Sequence, residues 1–394
     1  MATTPIAAPL RIHDAIALPR TATTVTAHAH RSDAYTVHVV AGMRELLERL
    51  AVLVDGAAVA VITDQTVHEL YGAQLIRGLQ RAGIDPLLRS VPAGESSKSI
   101  AQAIALWDWL AGSDLARRDV VLAFGGGVIA DLGGWVASGY MRGLPYVNLP
   151  TTLLAQVDGA LGGKVAVNHP LAKNLLGAFH QPAGVVANVG FLRTTTNRHL
   201  RAGLAEAIKK AIIASPDYLA FIEDNASALL ARDDQALRRL VISAAAIKTE
   251  LIARDPYEAD LRRPLNFGHT IGHPLETATG YGPLLHGEAV AFGMVVESRI
   301  AAARGLLDED LLARILELLR RCRLPTVASE LAVAVDADAV LAAMDKVRLI
   351  RAGSLRFVLP VAPGETVIVD DVTEHEVRCA LAASGLGIAP ARTQ

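Results

Sequence analysis

From residue 35 the chain alternates short β-branched runs with longer stretches of helical spacing, and this rhythm limits the possible folds more than any other feature. Residues 35–40, 57–63, 87–91 and 120–124 are apolar runs of strand length. Between them, 42–53, 67–82 and 100–110 repeat apolar residues every three or four positions. Strands separated by helices pair through crossovers, not hairpins, and so build an open, mostly parallel sheet covered by helices. Beyond about residue 197 the rhythm stops. Long Ala/Leu/Ile segments at 204–214, 234–253, 287–304, 308–321 and 338–344 read as helices, with strand-like runs only at 355–359 and 365–368. The expected fold class is therefore α/β plus α. Residues 1–34 form a loosely ordered extension, 35–195 a sheet domain and 196–394 a mainly helical domain.

With 52% hydrophobic residues but only 4% aromatic, the cores must be filled by Ala, Val, Leu and Ile. A net charge of −2 gives no electrostatic reason to expect nucleic acid or a membrane surface as partner. Two cysteines, Cys322 and Cys379, are too few for a disulfide framework, which fits a reducing cytoplasm. Residues 1–23 lack a basic stretch followed by an apolar one, so no secretory signal is expected. No apolar run reaches the ~20 residues of a membrane span.

The strand at 120–124 runs into Gly125, Gly126 and Gly127 and then into an apolar helical run. Glycines let backbone approach a ligand closely or take positive φ, and a strand, a glycine turn and a helix N-terminus together make a phosphate site. The spacing is not G-x-G-x-x-G, so a dinucleotide here would bind in a variant mode. Downstream, Arg142, Asp158, Lys164, Asn168, Lys173 and Asn174 punctuate an apolar, Gly-rich stretch. Lysines in such a setting must meet an anion or reach solvent, and several converging cations suit a phosphorylated substrate.

His269 and His273 stand at i and i+4, on one face if helical, and His286 follows, so three histidines fall within eighteen residues. Imidazoles with one carboxylate are a donor set for a catalytic Zn²⁺ with an open position. His13, His28, His30, His38, His68, His180, His199 and His375 have no such context and read as structural or surface residues. His169, beside the lysine stretch, stays open.

These residues carry a family resemblance. The runs GGGVIADLGG (125–134), MRG (141–143), PTTLLAQVDGALGGKVAVNHPLAKNLLGAFHQP (150–182), GLAEAIK (203–209), LNFGHTIGH (265–273) and LHGEAVAFGM (285–294) resemble the dehydroquinate synthases, in the same order. The resemblance implies an N-terminal Rossmann-like domain, a C-terminal helical metal-binding domain, an active site in the cleft between them, bound NAD, a divalent metal (Zn or Co) and a homodimer. By match, Glu206, His269 and His286 are the expected metal ligands. Asp64, Glu95, Lys98, Gly126, Gly127, Asp131, Thr151 and Thr152 fall at NAD-contacting positions. Asp158, Lys164, Lys209, Lys248, Arg262, Asn266 and His273 fall at catalytic, substrate-pocket positions. Lys173, Asn174 and Lys346 are matched to the substrate phosphate, and Arg142 to an arginine that reaches the phosphate in the neighbouring subunit. The implied reaction on a sugar phosphate is transient oxidation of a ring hydroxyl, phosphate elimination, re-reduction and intramolecular aldol closure.

Lys248 and Arg262 match positions that face a substrate carboxylate, which favours a heptulosonate 7-phosphate. Several departures point the other way. The stretch 345–353 reads Asp-Lys-Val-Arg-Leu-Ile-Arg-Ala-Gly where the family has Asp-Lys-Lys closer to the glycine, Pro274 follows His273, Thr194–Thr196 replace a Thr-Leu-Pro, and Asn188 stands where Asp is common. With the N-terminal extension, these favour a second reading: a secondary-metabolism cyclase of sedoheptulose 7-phosphate that makes a valiolone-type cyclitol (2-epi-5-epi-valiolone or 2-epi-valiolone). A metal-dependent alcohol dehydrogenase shares the architecture but has no use for Lys164, Lys173, Lys209 and Lys248. A catalytically dead homologue would not keep the whole expected ligand set.

Overall fold

The computed structural model describes residues 10–11, 24–28, 34–169, 172–255, 257, 263–350 and 355–387. The chain forms two compact units: Pro19–Thr196 with Arg232–Tyr257, and Met1–Leu18 with Asn197–Ala231 and Glu258–Gln394.

Along the chain, β1 (Leu10–Arg11) belongs to the second unit, and β2 (Thr24–His28) opens the first. There follow β3 (Ala34–Val40), α1 (Met43–Val54), β4 (Val59–Asp64), α2 (Gln65–Val67), a π turn at His68–Gly72, α3 (Ala73–Arg81), β5 (Pro86–Val91), α4 (Ile100–Ala111), β6 (Val120–Gly125), α5 (Gly127–Gly139) and β7 (Tyr146–Pro150). The hairpin β8 (Lys164–His169) and β9 (Ala172–Phe179) precedes β10 (Gly184–Asn188). The helices are α6 (Asn197–Ala214), α7 (Pro216–Leu230), α8 (Asp234–Arg254), α9 (His269–Ala278), α10 (His286–Ala303), α11 (Glu309–Arg321) and α12 (Ala337–Ile350). Strands β11 (Phe357–Ala362) and β12 (Glu365–Val369) and helix α13 (Glu374–Ala383) complete the described chain.

The first unit is a seven-stranded sheet of order β2-β3-β10-β7-β6-β4-β5, antiparallel only at β2–β3. Its central strands β4, β6 and β7 are mostly apolar and buried because both faces are covered. Val59 and Val61 of β4 point into a core closed by Leu46 and Leu50 of α1 and Leu75 and Leu79 of α3. Ala60 and Ile62 point the opposite way, towards Leu106 of α4 and Leu132 and Val136 of α5. From β4 the chain adds β5 on one side and β6 on the other. Such a reversal opens a crevice at the carboxyl ends of the strands.

The second unit is helical around α6 and α10, with a small sheet of order β1-β12-β11. From Ala202 to Ala214 every residue of α6 is buried. Such a helix has no polar face, so any charge it carries must be answered inside the protein.

Two organisational expectations change. The N-terminal extension contributes β1 to one sheet and β2 to the other, because short edge strands are set by the partner they find and not by their own pattern. The segment Arg232–Tyr257, which the sequence reading places in the helical domain, groups with the sheet unit. Helical periodicity shows that α8 buries a face but not which unit receives it.

In the helical unit, Arg304 at the end of α10 donates to Glu376 of α13 (Nε–Oε1, 2.6 Å) and to Asp371 (Nη1–Oδ1, 2.7 Å). Arg304 holds the Glu376 carboxyl down at about 2. A depressed carboxyl stabilises the fold above its unfolded value and loses that contribution as pH falls towards its folded value. The wild-type melting temperature should therefore drop more steeply than that of Arg304→Met between about pH 4.5 and pH 2. Parallel curves over that window would contradict the assignment.

Candidate active site and metal centre

In the helical unit α6 carries Glu206, Lys209 and Lys210, each no more than 2% exposed. Lys209 Nζ lies 2.6 Å from Glu206 Oε2, and Lys210 Nζ lies 3.5 Å from the same oxygen. Burial opposes ionisation of Glu206, but Lys209, with His286, Lys210 and His269, holds the carboxyl well below its ordinary value. Neither buried oxygen accepts a hydrogen bond of good geometry, and the second of them is Oε1. It lies 3.7 Å from His269 Nε2 and 3.7 Å from His286 Nε2.

His269 and His286 begin α9 and α10. Gly287 lets α10 start hard against α6: a Cβ there would stand 1.9 Å from the Ala202 carbonyl oxygen. His286 Nδ1 lies 3.0 Å from Oε2 of the buried Glu276 in α9. A carboxylate behind an imidazole orients the ring, here with Nε2 towards Glu206. Burial lowers the His286 pKa, but Glu206 and Glu276 outweigh it and raise the value to about 9. His269 goes the other way: burial first, then Lys209, keep it well below its ordinary value. His269 is thus held neutral, whereas His286 would give up a proton on binding a metal.

Two imidazole nitrogens and an orphaned carboxylate oxygen suit Zn²⁺ or Co²⁺. Donors on a tetrahedral ion are about 3.3 Å apart, close to the spacing seen. The imidazoles of His269, His273 and His286 also bring ligand atoms within 4.8 Å of one another. Glu206 offers a buried carboxylate oxygen 3.7 Å from both of the histidines that the two sets share. Helix α9 runs through Pro274, and the His273 ring stays 4.9 Å from that of His269. His273 is exposed, as a substrate-facing group would be. Asn266 and His273 line one hollow with Thr270, Leu355 and Arg356.

In the sheet unit the expected NAD-contacting residues collect at the carboxyl ends of four adjacent strands. Asp64 ends β4 and caps α2 through Val67 N–H (3.0 Å). Glu95 and Lys98 follow β5, Gly126 and Gly127 follow β6, and Thr151 and Thr152 follow β7. None of Gly125, Gly126 and Gly127 takes a positive φ. Gly126 is extended (φ −75°), and nothing lies within 4 Å of where a Cβ on Gly127 would be, at the uncapped start of α5. Lys98 donates to Asp131 of α5 and to the Asn174 side chain. Asn174 N–H donates to Asn168 Oδ1 (3.0 Å), and Asn168 Nδ2 donates to Glu95 (2.8 Å). The hairpin is thus tied to the expected cofactor residues.

Lys248 of α8 donates to the Asp158 carbonyl (2.7 Å) and lies 3.0 Å from its carboxylate. Lys164 is exposed and Lys173 half-buried on the hairpin. Arg142 is exposed, and both it (φ 69°) and Met141 (φ 49°) are left-handed. Two such non-glycine residues in succession store strain of the kind found at functional loops. Lys346 is exposed on α12. Arg262 lies outside the described residues. Lys210, Glu276, Glu297 and Arg356 were not singled out from the sequence. Within amphipathic or alanine-rich runs they look like ordinary helix or strand residues, and only burial distinguishes the first three.

Residues 88–202 match the model of the 3-dehydroquinate synthase N-terminal domain, and 203–348 that of the 3-dehydroquinate synthase C-terminal domain. The chain belongs to the dehydroquinate synthase family of sugar-phosphate cyclases. It is 54% identical to 2-epi-valiolone synthase of Actinosynnema mirum over 94% of this chain and 97% of that one. It is 42% identical to 3-dehydroquinate synthase of Symbiobacterium thermophilum over 89% and 97%. Its fold matches that of 2-epi-5-epi-valiolone synthase from Streptomyces hygroscopicus subsp. jinggangensis 5008, solved with NAD+ and Zn2+ bound. The TM-score is 0.82 at 33% identity, covering 91% of this chain and 98% of that one.

Replacing Glu206 with Gln would break the buried ion pairs that Lys209 and Lys210 make with this carboxylate. Glu206→Gln should lose about 3–5 kcal/mol of stability in metal-free chemical denaturation. A loss below about 1 kcal/mol would contradict the buried charge cluster.

Proposed function

We propose that the protein is an NAD- and divalent-metal-dependent lyase that cyclises sedoheptulose 7-phosphate to a valiolone-type cyclitol, with release of phosphate. The observation that carries this reading is the 54% identity to a 2-epi-valiolone synthase, against 42% to a 3-dehydroquinate synthase over a comparable span. The heptulosonate reading rests on Lys248 and Arg262. Lys248 already faces the Asp158 carboxylate at 3.0 Å, so it needs no substrate carboxylate to answer its charge.

In this reading Glu206, His269 and His286 hold the metal, and NAD takes the strand ends marked by Asp64, Glu95, Lys98, Gly126, Gly127, Asp131, Thr151 and Thr152. The bound groups supply reversible hydride transfer and Lewis acidity at a substrate oxygen. The start of α5 offers free N–H groups to the pyrophosphate. Asp158, Lys164, Lys209, Lys248, Arg262, Asn266 and His273 orient the sugar. Lys173, Asn174, Lys346 and Arg142 hold its phosphate, Arg142 from the neighbouring copy of a homodimer. A ketone beside the reacting carbon acidifies its C–H. The phosphate then departs with the C–O electron pair, and its own oxygen takes the proton. A cytoplasmic setting accords with two unpaired cysteines, and no described helix is long and apolar enough to cross a membrane.

The test is incubation with NAD, Zn²⁺ or Co²⁺ and each sugar phosphate, following phosphate release and product mass. Sedoheptulose 7-phosphate should be preferred by roughly 100-fold in kcat/KM, with no net NADH. Preference for a heptulosonate phosphate would overturn the substrate, and stoichiometric NADH without phosphate release would return the dehydrogenase reading.

A further inference from the structure

The mechanism above does not use Glu297, a buried carboxylate of α10. Its Oε2 accepts from Gly268 N–H (2.7 Å), and its Oε1 accepts from Thr270 N–H (3.1 Å) and Ile271 N–H (3.4 Å). These donors flank His269. The first N–H groups of a helix have no partner within it and usually turn to an N-cap side chain. The N-cap of α9 is Gly268, which has none. The neighbouring helix supplies the missing acceptor.

Packing reinforces the anchor. Gly268 is left-handed (φ 79°), and a Cβ on Gly293, one turn before Glu297, would stand 1.9 Å from the Gly268 carbonyl oxygen. Helix α9 therefore starts at one fixed height on α10. That height sets two elements of the centre, because α9 carries His269 in its first turn and Glu276, the partner of His286, in its last.

We propose that Glu297 is a positioning residue of the metal centre, anchoring the start of α9 so that His269 and the Glu276–His286 pair meet Glu206. The proposal rests on the metal-binding reading above. Three donors and two acceptor oxygens fit a carboxylate and not an amide, which would turn its own N–H₂ towards one of them.

Zn²⁺ affinity is measured by competition with a chromophoric chelator, and the visible spectrum is recorded for the Co²⁺-loaded protein. Glu297→Ala should bind Zn²⁺ about 10–100-fold more weakly and shift the Co²⁺ bands, with Glu297→Gln intermediate. Arg304→Met, destabilised at a site outside this machinery, should keep wild-type affinity and spectrum. Wild-type affinity and spectrum in both Glu297 variants would overturn the proposal. Amide exchange of the unmutated protein checks it without any variant: Gly268, Thr270 and Ile271 should be protected, and rapid exchange of all three would overturn it. A wild-type chain that binds neither ion defeats the underlying metal reading, and needs no variant to be recognised.

Discussion

One buried carboxylate organises the helical unit. Glu206 sits in the middle of a helix with no solvent face, and its two oxygens have different surroundings. Oε2 lies beside Lys209 and Lys210, and Oε1 is left between the two histidine nitrogens. An unpaired charge in such a place would shift its protonation or unfold the helix. The lysines keep Glu206 ionised, and an ionised carboxylate beside two imidazoles is a donor set that suits a divalent ion. Burial of α6, close docking of α10 at Gly287 and the Glu276–His286 contact all serve that arrangement.

The sheet unit prepares a different kind of site. Its strand order reverses at β4, and the polar groups there are backbone N–H groups, capping side chains and a hairpin fastened through Lys98, Asn168 and Asn174. The helical unit buries a carboxylate among imidazoles and lysines, and the sheet unit gathers backbone N–H groups and ion-paired side chains at its strand ends. This division matches the proposed chemistry, in which one group polarises a sugar oxygen and the other exchanges a hydride.

Much of this was legible in the residues. The alternating β and α runs located β3 to β6 within a residue or two, because β4 and β6 are apolar on both faces and β3 and β5 on at least one. The histidine spacing and the glycine triplet point to the two candidate sites. Other features depend on partners that local pattern does not name. The Lys164–Phe179 hairpin was hidden by its mixture of glycine, lysine and apolar residues. Helix α8 joins the sheet unit although its sequence resembles that of its helical neighbours. Glu276 and Glu297 look like surface glutamates until burial shows what they hold. Lys248 was read as awaiting a substrate carboxylate, and the structure gives it Asp158.

The substrate preference and the support from Glu297 both presuppose the metal centre, so the most direct measurement is of its donors. X-ray absorption at the metal edge of the Zn²⁺-loaded protein, with diffraction at the same edge, reports donor types and position together. The account predicts one ion between Glu206, His269 and His286, with two imidazoles and one protein carboxylate in its shell. A shell of three imidazoles that includes His273, or an ion bound elsewhere, would contradict it.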